Sequence, residues 1–388
     1  MKPRNRIDVD VAVVGGGIAG LWLLNRFVAD GFNCILLERD ALGCGQTLAS
    51  QGMVHGGLKY ALAGKFTLAA QAIAGMPKRW RACLAGDGEI DLRGVRVLSE
   101  RYYMWANSTA LGTLGSFLAS KALRGRIRKL AADDYPAPFR GGLDGSLYEL
   151  DDLVLDTSSL LERLSTPHTA RIARLTVTAQ MLRRDAEGDL EAIETPMGDI
   201  HAHRFVLAAG SGNDELLRAC GAAIGTQLRP LHQVIVDHPD LPELFAHCVS
   251  SLTRPEPRIT VTTHLGPGGG NLWYLGGQLA SSGVMRSDAE QHAFTRAELA
   301  QCLPWLDLAG ANVRSVRIDR AEPKTTMGTR PDEAFAVKQG RMIVAWPSKL
   351  SLAPDLGDKV LALLDSPSCP AGRMRDAPTA MLGRAPWQ

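Results

Sequence analysis

Apolar positions change rhythm several times along the chain, and each change predicts an element. Val9 to Val14 is a short β-branched run, suited to a strand buried in a parallel sheet. Leu21, Leu24 and Val28 then recur at helical spacing, and Gly31 suits the helix end. Asn33 to Leu37 reads as a second strand with Glu38 at its tip. A second strand–turn–helix follows at His203 to Leu217, where Phe205–Leu207 is apolar, Ala208-Ala209-Gly210 turns and Asp214 helps to start a helix. Between about 225 and 330, runs such as LHQVIV, PRITVTTHL, NLWYLGGQLA and VRSVRID are separated by turns such as GPGGGN, which predicts an antiparallel sheet. Met342 to Ala345 is another buried-strand run, followed by a loop at Pro347–Leu350 and an amphipathic helix from about Leu356 to Leu364. Residues 65–145 read as mainly helical. The stretch from Ser366 onward, rich in Pro, Arg and small residues, is expected to be disordered.

The first turn carries the chemistry. Gly15, Gly17 and Gly20 match G-x-G-x-x-G in the segment Gly15-Gly16-Gly17-Ile18-Ala19-Gly20. Such glycines let backbone approach a pyrophosphate seated at a helix N-terminus. Glu38 follows Gly20 by 18 positions, where an acid accepts hydrogen bonds from an adenosine ribose. Strand, helix, second strand and terminal acid are all in place, so a dinucleotide site is expected. Ribose recognition alone leaves NAD and FAD open. After Glu38, however, comes a loop, RDALGCGQTLASQGMVHGG, instead of another strand–helix repeat. Its Arg39, Gln46, Thr47, Ser50, Gln51 and Gly52 supply hydroxyls, amides and turns able to wrap a cofactor.

Bulk properties narrow the class further. At 388 residues the chain can bury a large core, and two interlocked domains are the prior. Apolar residues are 45% and charged residues 22%, ordinary for a globular protein. A net charge of +2 points away from nucleic acid as a partner. Seven cysteines form no CxxC pair and read as reduced thiols, which suggests a cytoplasmic protein. No signal peptide and no transmembrane segment is expected, with peripheral contact at the inner membrane face left open. His201 and His203 alternate on one strand without an evident third ligand, so no metal site is expected.

The segment His55-Gly56-Gly57-Leu58-Lys59-Tyr60 adds a resemblance. With the N-terminal motif, it resembles the FAD-dependent oxidoreductases of the D-amino-acid oxidase superfamily. Within them it is most similar to flavin-linked glycerol-3-phosphate dehydrogenases, whose segment reads His-Gly-Gly-Leu-Arg-Tyr, and it is related to that of L-2-hydroxyglutarate oxidases. The resemblance implies an α/β fold: a glutathione-reductase-type, Rossmann-like FAD-binding domain from residues 1–80, 146–220 and 326–365. An antiparallel-sheet substrate domain would come from 81–145 and 221–325. It implies FAD as cofactor, with Ala209 and Gly210 packing against it and the Ser348–Leu350 backbone reaching its ring. His55 would lie near flavin N5 as the base. Lys59, Tyr60, Arg330 (in Thr329-Arg330-Pro331) and Lys349 would hold a small anionic substrate. Gln278 is a further, weaker candidate for reaching the flavin. Lys59 and Ser348 depart from the family pattern, which has Arg and Gly there. The implied reaction is hydride transfer from a C–OH to flavin, with electrons passed on to a quinone, another carrier or oxygen. Amine or amino-acid oxidation on the same scaffold is the alternative, and a non-catalytic flavoprotein a third reading.

Overall fold

A computed structural model describes residues 5–57, 72–107, 127–249, 256–325, 331, 333–369 and 377–388. The expected opening unit is present. Arg6–Val14 is a strand, Ile18–Ala29 a helix and Cys34–Glu38 the next strand. Arg6–Val14 pairs in parallel with Cys34–Glu38 on one side and Gly198–Leu207 on the other. Ile172–Arg174 extends this sheet beyond Cys34–Glu38, and Met342–Trp346 extends it beyond Gly198–Leu207, both in parallel. The helix Ile18–Ala29 buries Leu21, Trp22, Leu23, Leu24 and Phe27 completely. It is therefore buried over most of its surface, with Asn25 and Arg26 as its polar positions, and is covered by the sheet below and by the helices Thr157–Ser165 and Ala353–Leu361.

An antiparallel sheet forms the second layer. Thr226–Asp237 pairs along its whole length with Asn312–Pro323, and Asn271–Gly276, Ile259–Leu265 and Ala246–Cys248 continue the sheet. Its two faces differ, as the alternation predicts. Val234, Val236, Trp273 and Leu275 pack into a core with Leu299 and Cys302 of the helix Asp288–Cys302. Ile235, Leu272 and Tyr274 face the other way, towards the dinucleotide-type domain.

Three expectations need correction. The region read as mainly helical contains the helix Met76–Ala85, but Tyr102–Asn107 and Ile127–Lys129 are strands of the same sheet, joined to it by the parallel pairing of Tyr102–Asn107 with Ala246–Cys248. Tyr102 and Met104 enter one core while Trp105 enters another, so bulky residues on both faces hide the period of two. Gly145–Leu150, which the expected boundary at 146 divides, also pairs in this sheet. Finally, the stretch expected to be disordered is packed over residues 377–388: Ala380, Ala385 and Trp387 are buried. The last helix runs over Ala353–Leu361, starting three residues before its expected start.

Candidate active site

The glycine turn sits where the parallel strands end. Gly15 adopts φ +113°, and a Cβ there would lie 2.5 Å from the Ala208 carbonyl oxygen of the neighbouring strand–turn. A Cβ on Gly20 would collide with the Gly15 carbonyl. The first glycine thus permits the turn, and the third lets helix and strand close on each other. Ile18 opens the helix with no acidic residue in the first turn, so the positive end of its dipole is left for an anion. The Ile18 N–H donates to Thr47 Oγ1 at 3.0 Å. Glu38 is buried, accepting from Gly16 N–H at 2.6 Å and Asp40 N–H at 3.0 Å, one bond per carboxylate oxygen.

This turn floors a cleft of about 780 Å³ between the two sheets. Gly15, Gly17, Ile18, Ala19, Glu38, Arg39, Gln46, Thr47, Ser50, Gln51, Ala209, Gly210, Ser348 and Leu350 all line it. Gly20 and Gly52 stand behind the wall; Gly52 has φ +69° with its Cβ position blocked by the Leu155 carbonyl. Gln51 Nε2 donates to the Tyr274 carbonyl at 2.9 Å and the Thr260 carbonyl at 3.2 Å, tying the loop to the antiparallel sheet. Tyr274 OH donates to Gln233 Oε1 at 2.7 Å and lies 3.0 Å from the Ala49 carbonyl oxygen.

His55 and Lys349 meet in the same cleft although 294 positions separate them. Three consecutive N–H groups fix the backbone there. His55 N–H donates to Ser351 Oγ (3.0 Å), Gly56 N–H to Asp152 Oδ1 (2.9 Å) and Gly57 N–H to His55 Nδ1 (3.2 Å). With Nδ1 accepting, the neutral imidazole carries its proton on Nε2 and presents a donor. Lys349 is only 5% exposed, and its Nζ donates to the Pro331 carbonyl at 3.5 Å. Lys59, Tyr60 and Arg330 lie outside the described residues. Gln278 heads the short helix Gln278–Ser282 and is not part of the cleft lining.

Sequence reading missed several lining residues: Asp152, Gln233, His247, Thr260 and Pro386. Only the alternation of the sheet strands could have hinted at Gln233 and Thr260; nothing local marked the others. Burial holds the His247 imidazole down to about 3, so it is neutral at ordinary pH, and its Nδ1 lies 2.9 Å from Thr260 Oγ1. On the far side of the parallel sheet, Asp10 and Cys369 gather beside His203. Asp10, however, already accepts from Asn33, Ser368 and Cys369 N–H groups. Desolvation pushes its carboxyl up, but those bonds outweigh it and keep it below the usual range. The carboxylate therefore serves as a staple for backbone.

Comparison with known proteins follows this geometry. Residues 10–352 match the family model for FAD-dependent oxidoreductases of the DAO type. The chain belongs to this family. The oxidoreductase is 46% identical over 364 residues to the probable FAD-dependent oxidoreductase PA4991 of Pseudomonas aeruginosa, covering 92% of this chain and 91% of that one. The crystal structure of PA4991 superposes with a TM-score of 0.82 at 38% identity, over 99% of this chain and 98% of that one. At fold level the oxidoreductase is also similar to the L-alpha-glycerophosphate oxidase of Mycoplasma pneumoniae (TM-score 0.68, 14% identity, 98% and 100% covered). It is likewise similar to the glycine oxidase of Geobacillus kaustophilus (TM-score 0.66, 15% identity, 94% and 96% covered). No helix among the described residues is long and apolar enough to cross a membrane.

The residues of the oxidoreductase fit FAD. The turn at Gly15 has no room for a side chain, the helix beyond it lacks an acid, and each Glu38 oxygen keeps a second lone pair for a ribose hydroxyl. The cleft volume lies in the upper range for cofactor-sized ligands, roughly 300–1,000 Å³.

Two predictions arise here. Ser348 holds φ +61°, the one non-glycine residue with positive φ among those described, at the place where the family pattern has glycine. Ser348→Gly should leave flavin binding intact and change stability by less than about 1 kcal/mol, with relief of strain offset by added unfolded-state entropy; chemical denaturation measures this. His264 is buried against Trp387 and Tyr274, and burial lowers its ring to about 3. Its folded value lies below its unfolded one, so its stabilising contribution is present above about pH 6.5 and is lost as pH falls towards 3. Denaturation at pH 7 and pH 5 should show about 2 kcal/mol less stability at the lower pH from this group, and the difference should shrink in His264→Phe.

Proposed function

We propose that the oxidoreductase removes hydride from the C–OH carbon of a small anionic substrate of the glycerol-3-phosphate or 2-hydroxy-acid type. The observation that carries this reading is the buried Lys349, held at 5% exposure in the same cleft as His55. A positive side chain lining the same cleft as His55 and the glycine turn suits a substrate that carries a carboxylate or phosphate. Lys349, joined by Lys59, Tyr60 and Arg330, holds the anion, and the rigid 55–57 backbone fixes His55 against the reacting carbon's substituent. FAD, when bound, would supply the hydride acceptor, His55 would take the hydroxyl proton, and a quinone, another carrier or oxygen would receive the electrons. The fold likeness to a glycerophosphate oxidase supports this choice.

A second reading, oxidation of an amine or amino acid, is favoured by one specific observation. His55 Nδ1 is occupied by Gly57 N–H, so the neutral ring offers a donor where a base would be needed to take a hydroxyl proton. A substrate that reacts as its neutral amine needs no such base, and the glycine oxidase likeness agrees with it. Anaerobic addition of glycerol-3-phosphate, 2-hydroxyglutarate and a set of amino acids to the yellow protein separates the two. Bleaching of the flavin by a hydroxy substrate alone supports the first reading, and bleaching by amines alone replaces it with the second. Flavin reduced by neither class sinks both.

A further inference from the structure

We propose that residues 377–388 form a clasp that locks FAD into the cleft by holding both ends of the loop that covers it. The loop in question, residues 42–51, supplies Thr47 to the helix N-terminus and Gln46, Ser50 and Gln51 to the cleft wall. At its first end, Leu42 is gripped on both sides of its backbone: its N–H donates to the Met381 carbonyl (2.8 Å), and its carbonyl accepts from Gly383 N–H (3.0 Å). Leu42 in turn packs on the glycine turn, since a Cβ on Gly16 would lie 2.6 Å from Leu42 Cδ2. Gly383 is pressed so closely that its own Cβ would lie 2.9 Å from Leu48.

At the loop's other end the grip comes through Trp387. Its indole stacks on His264 (3.8 Å between ring centres, 27° between planes) and leans on Tyr274 at 4.9 Å. Tyr274 is the residue whose hydroxyl meets the Ala49 carbonyl and whose carbonyl accepts from Gln51. Pro386 lines the cleft itself. The segment thus touches the parallel-sheet domain through Leu42 and the antiparallel sheet through Trp387, and spans the gap between them. An aromatic of this size removes about 150–250 Å² from water, so the anchor is strong. Trp387 belongs to a small cluster on the sheet face with Ile235, Leu272, Tyr274 and Ala385, while Ala380 of the same segment packs into the core around Ile18–Ala29, so the clasp opens from its Trp387 end. FAD leaves only when the loop opens, and the loop opens only when the clasp does.

The test uses the purified, FAD-loaded protein and follows recovery of free-flavin fluorescence after dilution. Trp387→Ala should release FAD roughly tenfold or more faster than the natural chain, Trp387→Phe should fall between the two, and the FAD-free Trp387→Ala protein should still unfold in one cooperative transition, at a lower midpoint. An unchanged release rate in folded Trp387→Ala overturns the clasp. So does a variant that fails to fold, because Trp387 would then be needed for the fold itself and not as a fastener. A natural chain that takes up no FAD at all would instead refute the cofactor assignment, a result distinct from either.

Discussion

Gly15→Ala should yield a folded protein without flavin. The new Cβ would meet the Ala208 carbonyl at 2.5 Å, on a backbone with φ +113° that L-residues rarely adopt. Two strand ends would have to part, in the place where a pyrophosphate needs backbone within contact. FAD affinity should fall by at least about a hundredfold, or roughly 2.7 kcal/mol, enough to lose the cofactor during purification. Flavin absorbance per protein measures it. Gly268→Ala, whose Cβ meets nothing within 4 Å, is the control and should stay yellow. A yellow Gly15→Ala protein would mean that the cofactor does not approach this turn.

The second large effect belongs to Lys349. Lys349→Met keeps the length and apolar stem of the side chain but removes its charge. If Lys349 holds the substrate's anion, flavin reduction by that substrate should slow by about 10²–10³-fold, while FAD binding stays unchanged. Rapid-mixing reduction under anaerobic conditions gives the rate. Reduction at the natural rate by the same substrate would remove Lys349 from the anion site.

What could be read from the sequence was what is decided locally. The Gly15–Gly20 turn, its flanking strands and Glu38 lie within a few dozen residues, and their patterns have one physical solution. Lys349 was named through the resemblance of its loop, between a buried strand and an amphipathic helix, to that of the family. The clasp was not. Its Pro, Arg and small residues cannot form a core alone, and its order comes from distant partners: Leu42 for its backbone and the His264–Tyr274 slot for Trp387. His247 and Asp152 escaped for the same reason, since pairing between remote strands puts them in the cleft. The hydrogen bond that sets the His55 tautomer is local, two residues along, yet depends on a backbone bend that composition does not specify.

The placing of the central strands also has a bearing on how the protein matures. Val206 pairs on one side with Val13 and on the other with Ile343, so the floor of the cofactor cleft is assembled from early, middle and late parts of the chain. The strand that carries the glycine turn has no partner on that edge until Gly198–Leu207 has been made. Such long-range closure is slow. A cleft fit for flavin therefore needs Met342–Trp346 and the loop after it in place, and the cofactor in turn ties together parts of the chain that are far apart in sequence.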